Sequence, residues 1–334
     1  MKKKYTIATL GSHSALQILK GAKDEGFDTL VIHTPKQEAL YKRFDFIDGF
    51  IEILSFDKLP SVEKKLKEKN IILIPHGSFV AYLGVEGNRE VKLPYFGNKQ
   101  VLDWEANRAK QRIWLGKSGL QLPREFTSEK KEFPVIVKSY GAAGGKGYFF
   151  AKNQQDLDKK FKRFGSAKYV IQEYIVGVPL YIHYFYSPLT KKLEILGMDR
   201  RYETNVDGIG RIPAGDQDAS LEPSFVVVGN SPLVLRESML SEAFTMGEDV
   251  VAASQQIIDK RGLFGPFCLE TIITPDQKFY CIEISCRIVA GTNLYIDGSS
   301  YSALHFHESM SMGRRIAWEI KLAIKQNKLF KVLD

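Results

Sequence analysis

The chain has little cysteine and no long apolar run. Its three cysteines, Cys268, Cys281 and Cys286, fall in one short stretch and lack the paired spacing of a zinc site. They read as small core residues of a reduced, cytoplasmic protein. No apolar run nears the roughly 20 residues that a spanning helix needs, so no membrane partner is expected. The start, MKKKYTIATLGSHSA, has a short strand-like run in place of a signal peptide's apolar stretch. Internal repeats and low-complexity segments are missing. So is any clustering of lysine with aromatics: the surplus behind the net charge of +8 is spread over stretches such as 62–70 (VEKKLKEKN). Alternating lysine and glutamate marks a solvated helix face, which argues against a nucleic-acid partner. Local basic sites for small phosphorylated ligands explain the surplus as well.

The most informative stretch is 266–287, PFCLETIITPDQKFYCIEISCR. Two apolar runs, 267–273 and 279–284, flank a turn signal and read as a hairpin. With Asp276 and Gln277 as the two loop residues, Glu270 faces Glu283 directly. Like charges opposed on a sheet are destabilising unless a positive group lies between them. An oxygen-seeking divalent ion, Mg²⁺ or Mn²⁺, suits that place. Two exposed glutamates on an edge hairpin are the alternative, and a register slipped by one residue would part them.

Upstream, a strand at 5–10 runs into Gly11-Ser12-His13-Ser14, a helix covers 15–25 and a strand covers 29–33. Strand–helix–strand order indicates a parallel sheet, hence an α/β opening. A further strand, 71–75, ends in His76-Gly77-Ser78, so both polar loops lie at carboxyl ends of strands, where open α/β sheets bind ligands. A charged helix is expected over 102–120, a long helix over 236–261, and a helical tail over 301–326. The boundaries suggest units 1–101, 102–178 and 179–334, the last largely β (α+β in part). Apolar stretches 79–84 (FVAYLG) and 295–301 read as surface loops suited to self-assembly, and a homo-oligomer is expected.

The run from Lys138 to Gly147 carries four glycines between two strands. Because it does not open a helix, it is neither a Walker A loop nor a Rossmann fingerprint. Bare backbone N–H groups at Gly144, Gly145 and Gly147, with Lys138 and Lys146, suit the phosphates of ATP. The linker after the strand at 169–174, Gln172-Glu173-Tyr174-Ile175, can read an adenine edge with its main chain, and Glu173 or Glu203 can accept ribose hydroxyls.

Lysine strand, glycine flap, Gln-Glu-Tyr-Ile hinge and late paired glutamates occur in the order that resembles the ATP-grasp superfamily. That resemblance implies an ATP-grasp fold preceded by a Rossmann-like parallel-sheet domain. The late pattern Glu-x-Asn-x-Arg is matched by Glu283 and Arg287, with Ser285 replacing the asparagine. It implies that Arg287 stabilises charge on the transferring phosphoryl group. Longer stretches, ATLGSHSALQILKGAKDEGF, IPHGSFVAYLG, GNSPLVLRESML and EISCRIVAGTNLYIDGSSYS, resemble the archaeal PurP family over essentially the whole chain. The family is a formate-dependent ligase acting on the ribonucleotide AICAR (5-aminoimidazole-4-carboxamide ribonucleotide) in purine biosynthesis. The resemblance implies AICAR, formate and ATP as partners, contacts to AICAR from His13, Ser78 and Asn230, and metal at Glu270 and Glu283. From the residues alone, His13 is a loop residue before a helix, Ser78 a turn serine and Asn230 a turn residue after a strand. A ligase for another acid and amine, or a nucleotide-binding regulator without catalysis, are the competing readings.

Overall fold

A computed structural model describes residues 4–127, 131–139, 148–164, 169–203, 209–217 and 227–334. The N-terminal sheet is parallel and holds β1 (Thr6–Leu10), β2 (Asp28–His33), β3 (Gly49–Glu52) and β4 (Ile71–Leu73) in the order β3-β2-β1-β4. Helices α1 (Ala15–Asp24), α2 (Glu38–Tyr41) and α3 (Glu63–Glu68) lie in its connections. The first three strands step one way across the sheet and β4 joins on the other side of β1. Their carboxyl ends therefore open a crevice between β1 and β4, where open α/β sheets take ligands.

Three helices follow: α4 (Phe79–Glu90), kinked at Gly84, α5 (Lys99–Ala106) and α6 (Arg108–Lys117). A small antiparallel sheet holds β5 (Glu125–Phe126), β6 (Val135–Ser139), β7 (Tyr148–Ala151) and β8 (Tyr169–Glu173) in the order β5-β8-β6-β7, with α7 (Gln154–Phe164) against one face. The larger antiparallel sheet holds β9 (Val178–Tyr186), β10 (Leu193–Glu203), β11 (Val227–Pro232), β12 (Gly265–Ile273) and β13 (Phe279–Ser285), in the order β11-β10-β9-β12-β13. The remaining helices are α8 (Leu240–Ile257), α9 (Ser302–His305) and α10 (Met312–Lys325).

Strand alternation divides the larger sheet. Ile182, Tyr184, Ile195 and Leu269 pack with Trp114 of α6 and Val250 of α8 on one face. On the other face Phe185 and Leu196 join a core with Ile7, Ile18, Ile316 and Ile320, so α10 lies between the larger sheet and α1. The α1–α10 contact is made backbone to backbone. A Cβ on Gly21 would sit 2.1 Å from the Arg314 nitrogen, and one on Gly313 2.2 Å from the Gln17 carbonyl oxygen. Arg315, only 1 % exposed, ties α10 to β10 through Glu194 at 2.6 Å and is held by Glu319 at 2.8 Å.

Several expectations are corrected. The hairpin closes through Pro275, Asp276 and Gln277, with Gln277 in the left-handed region at φ 61° and Thr274 N–H donating to the Lys278 carbonyl. That three-residue loop pairs Thr271 with Cys281, one residue off the register a two-residue loop sets. A bulge at Ile282 then restores the pairing of Glu270 with Glu283. The helix expected over 102–120 breaks at Asn107, whose side chain accepts from the N–H groups of Ala109 and Lys110 and starts a new helix. The tail is two helices, α9 and α10. Residues 79–83 are helical, with Phe79 at 1 % exposure, so that stretch is not the surface loop read from the sequence, whereas 295–301 is largely exposed irregular chain, with Ile296 at 48 % and Tyr301 buried. Asn230 lies within β11 opposite Arg201, and is not a turn residue. The cysteines are free; Cys268 and Cys281 are buried.

Candidate active site

Residues opposed in an antiparallel pair share a face. Glu283 faces Glu270, Glu270 faces Tyr181 and Tyr181 faces Asp199, so one line of side chains crosses β13, β12, β9 and β10. Two residues beyond Asp199, on the same face, Arg201 opposes Asn230 of β11. Arg201 lies with its guanidinium 3.8 Å above the Tyr181 ring and grips both oxygens of Glu270, at 2.8 and 3.1 Å. Ser285 Oγ, at the position that departs from the asparagine pattern, donates to the same carboxylate at 3.4 Å.

Glu283 has Arg108 of α6 at 4.0 Å. Loss of water, then the charge of Glu270, push its carboxyl above the ordinary range, while Arg108 and Lys138 pull it down. Two carboxylates held together in this way suit a divalent cation. Among the described residues no third histidine, cysteine or acid joins them, so further ligands would be phosphate oxygens and water, the habit of Mg²⁺.

The small sheet supplies the opposite wall. Its residues Val135, Val137 and Ile171 pack into a core with Leu157 of α7, which leaves Ile136, Lys138, Tyr148 and Gln172 on the other face. The Lys138 amine lies 5.5 Å from the Tyr148 ring centroid, and Tyr148 accepts from Arg108 at 2.9 Å. Burial lowers Lys138 to about 8, with Glu283 pulling the other way. Glu173 falls on the α7 side, paired with Arg124 at 3.1 Å, and is not brought to the Lys138 face. The main-chain N–H groups of Glu173 and Tyr174 donate to the Arg124 and Pro134 carbonyls. Glu203 ends β10 close enough to Tyr174 that its charge, after burial, raises the phenol. Gly144, Gly145, Lys146 and Gly147 lie outside the described residues.

The crevice of the parallel sheet forms the third side. The loops after β1 and β4 meet there: the His13 and His76 rings stack with centroids 5.9 Å apart, and Ser12 Oγ lies 3.2 Å from Ser78 Oγ and 2.7 Å from the Tyr82 hydroxyl. Burial, then the charges of Arg287 and Arg201, lower His13 to about 4, so it is neutral at ordinary pH. His76 donates from Nε2 to the Leu10 carbonyl and accepts from the Ser78 N–H at Nδ1, a neutral tautomer that burial favours. Arg287 reaches this crevice from the end of β13. It is anchored at 2.9 Å by Glu105 of α5, whose other oxygen accepts the Cys286 N–H at 2.7 Å.

His13 thus lies within the electrostatic reach of Arg287 and Arg201, Arg201 holds Glu270, and Glu283 beside Glu270 feels the charge of Lys138. Sequence reading missed Arg201, Arg108, Glu105, Asp199 and His183. Strand alternation from Tyr181 could have flagged Asp199 and Arg201. Nothing in a charged helix marks Glu105 or Arg108, because only the fold brings them to β13.

A family described as a domain of unknown function, DUF1297, matches residues 151–334, and one described as a protein of unknown function, DUF1246, matches residues 7–126. The chain is 52 % identical over 337 residues to a Pyrococcus horikoshii protein named 5-formaminoimidazole-4-carboxamide-1-(beta)-D-ribofuranosyl 5'-monophosphate synthetase, covering 98 % of this chain and 99 % of that one. A Saccharolobus solfataricus protein of the same name is 46 % identical, again covering 98 % and 99 %. Among solved structures, the IMP biosynthesis protein PurP from Thermococcus kodakaraensis superposes with a TM-score of 0.79 at 32 % identity, over 98 % of this chain and all of that one. An ADP complex of N5-carboxyaminoimidazole ribonucleotide synthetase superposes at 0.67 with 14 % identity, over 93 % and 75 %, a likeness of fold alone.

Proposed function

Because the chain belongs to the PurP family of formaminoimidazole-carboxamide ribonucleotide synthetases, we propose that it uses ATP and formate to formylate the AICAR amine. The observation that carries this reading is the opposed pair Glu270 and Glu283, within the electrostatic reach of Lys138. Formate oxygen attacks the γ-phosphorus of ATP. A new P–O bond forms, the bond to the β-phosphate oxygen breaks, and formyl phosphate and ADP result. The AICAR amine then attacks the formyl carbon; a C–N bond forms, phosphate departs and takes the amine proton.

Lys138 holds transferring phosphate oxygens as a point charge. Arg287, fixed by Glu105, neutralises charge on the acyl phosphate. Glu270 and Glu283 would hold Mg²⁺ or Mn²⁺, which supplies charge neutralisation at the phosphates. Neutral His13 and the Ser78 hydroxyl offer hydrogen bonds to AICAR at the β1–β4 crevice, where the α1 N-terminus favours its phosphate. Asn230 offers its amide. Bringing the amine onto the acyl phosphate in a fixed pose is worth much of the barrier, because effective molarities reach about 10⁵–10⁸ M. Exposed Leu304 (79 %) and Phe330 (71 %) are what supports assembly as a homo-oligomer.

The test is ADP release with purified protein. Release that needs AICAR and formate together, and falls away with acetate or larger acids, is the expected outcome. Release driven by another acid without formate overturns the reading in favour of a related carboxylate–amine ligase.

A pH dependence follows from Lys138. With its amine lowered to about 8 by burial, the free site loses its charge above that pH, and ATP binding must then take up a proton. KM for ATP should be flat below pH 8 and rise about tenfold per unit above it. Lys138→Arg, charged throughout, should lack that inflection. A wild-type profile flat to pH 9.5 would contradict the assignment.

A further inference from the structure

A string of side chains runs from the inside of the larger sheet to Asn230. His183 and Asp199 are each 1 % exposed. His183 Nε2 lies 2.6 Å from one Asp199 oxygen, and the other accepts from the Asn230 amide nitrogen at 2.6 Å. Gly291 closes over the pair: a Cβ there would lie 2.2 Å from Asp199 Oδ1 and 2.9 Å from His183 Nε2. His183 Nδ1 is the buried side-chain nitrogen without a hydrogen-bond partner among the described residues, so Asp199 is what anchors the imidazole. The cluster is built round a single carboxylate.

That carboxylate can only accept. Asn230 therefore cannot turn its amide over without setting oxygen against oxygen at 2.6 Å. Its nitrogen stays on Asp199, and its carbonyl oxygen is the end turned away. Asn230 itself is half-buried at the rim, opposite Arg201.

We propose that Asp199 is a positioning residue that makes the site select a carboxamide over the corresponding carboxylate, by holding Asn230 with its oxygen toward the ligand. This rests on the reading of Asn230 as an AICAR contact. A carboxamide donates an N–H to that oxygen. A carboxylate meets an acceptor there instead, with the Asp199 charge close behind. Selection by an unpaired polar group is the stronger kind, since the wrong ligand leaves both partners unsatisfied.

The experiment measures dissociation constants of AICAR and of its 4-carboxylate analogue for wild-type protein and for Asp199→Asn, with the KM for ATP alongside. Wild type should prefer the carboxamide by about 100-fold, the scale of a single polar group left unpaired. In Asp199→Asn two amides face each other and can turn over together, so the preference should shrink to within about tenfold, with ATP binding unchanged. A variant that weakens both ribonucleotides equally and keeps the wild-type preference overturns the proposal, because a merely structural Asp199 gives that result. Should Asp199→Asn fail to fold, Asn230→Ser reads the same quantity: a rotatable hydroxyl donates or accepts, so the preference should again collapse, and its persistence overturns the proposal. Wild-type protein that binds neither ribonucleotide overturns the functional reading beneath it, a result distinct from an unaltered preference.

Discussion

Glu283→Gln should lower turnover by about a thousandfold and leave the ligand-free protein slightly more stable, while Glu270→Gln should lower turnover as far and destabilise. The loss of activity follows because the pair acts together. With one carboxylate gone a divalent ion would be held less firmly at the phosphates, and removing such charge stabilisation typically costs about 10²–10³-fold or more. The stabilities part because the two neighbourhoods differ. Burial and the Glu270 charge hold the Glu283 carboxyl above its ordinary range, so its ionised form is the disfavoured one. An amide of the same shape relieves that and should raise the melting temperature by about 2 °C. Glu270 accepts a bidentate pair from Arg201 with side chains only 22 % and 14 % exposed. Its amide leaves a guanidinium half-matched and should lower the melting temperature by a few degrees. Calorimetry and ADP release on both variants check this. Turnover retained in either would remove the metal role.

The second large effect lies far from the chemistry. Gly313→Val should cost about 3 kcal/mol and lower the melting temperature by roughly 6 °C, with a raised KM for AICAR and a smaller change for ATP. At Gly313 a Cβ would meet the Gln17 carbonyl oxygen at 2.2 Å and its carbon at 2.7 Å. These are backbone atoms inside α1, so no rotamer can clear them. Gly21 meets the Arg314 nitrogen in the same way from the other side. The only relief is to part α1 from α10. The loop holding Ser12 and His13 leads directly into α1, and Asn293 donates to the His13 carbonyl at 3.0 Å, so parting the helices moves the crevice. Unchanged melting and an unchanged AICAR KM would show that the helices can slide apart without cost.

The same contact marks where sequence reading stopped. The glycines of α1 and α10 sit almost 300 residues apart, and nothing local in either helix says that the other will lie on it. The acidic hairpin shows the opposite case with a twist. The pairing of Glu270 with Glu283 was legible from two apolar runs and a turn, yet the loop is one residue longer than read, and a bulge at Ile282 restores the register. Residues 79–84 were misread because a short apolar stretch has no period of its own; burial of Phe79 against the parallel sheet decides it.

Strand alternation, helix spacing and two carboxylates flanking one turn were enough, taken from the chain alone, to set the α/β plan, the acidic hairpin and the strand that carries Lys138. These are local patterns, governed by backbone period and turn chemistry within a dozen residues. Which side chains partner the acids of the site was decided only by tertiary structure: Arg201 on Glu270, Arg108 beside Glu283, Arg287 braced by Glu105, and Asn230 held by Asp199. Those partners come from separate strands and helices. Their charges matter only once packing removes the water between them, and no linear pattern records that.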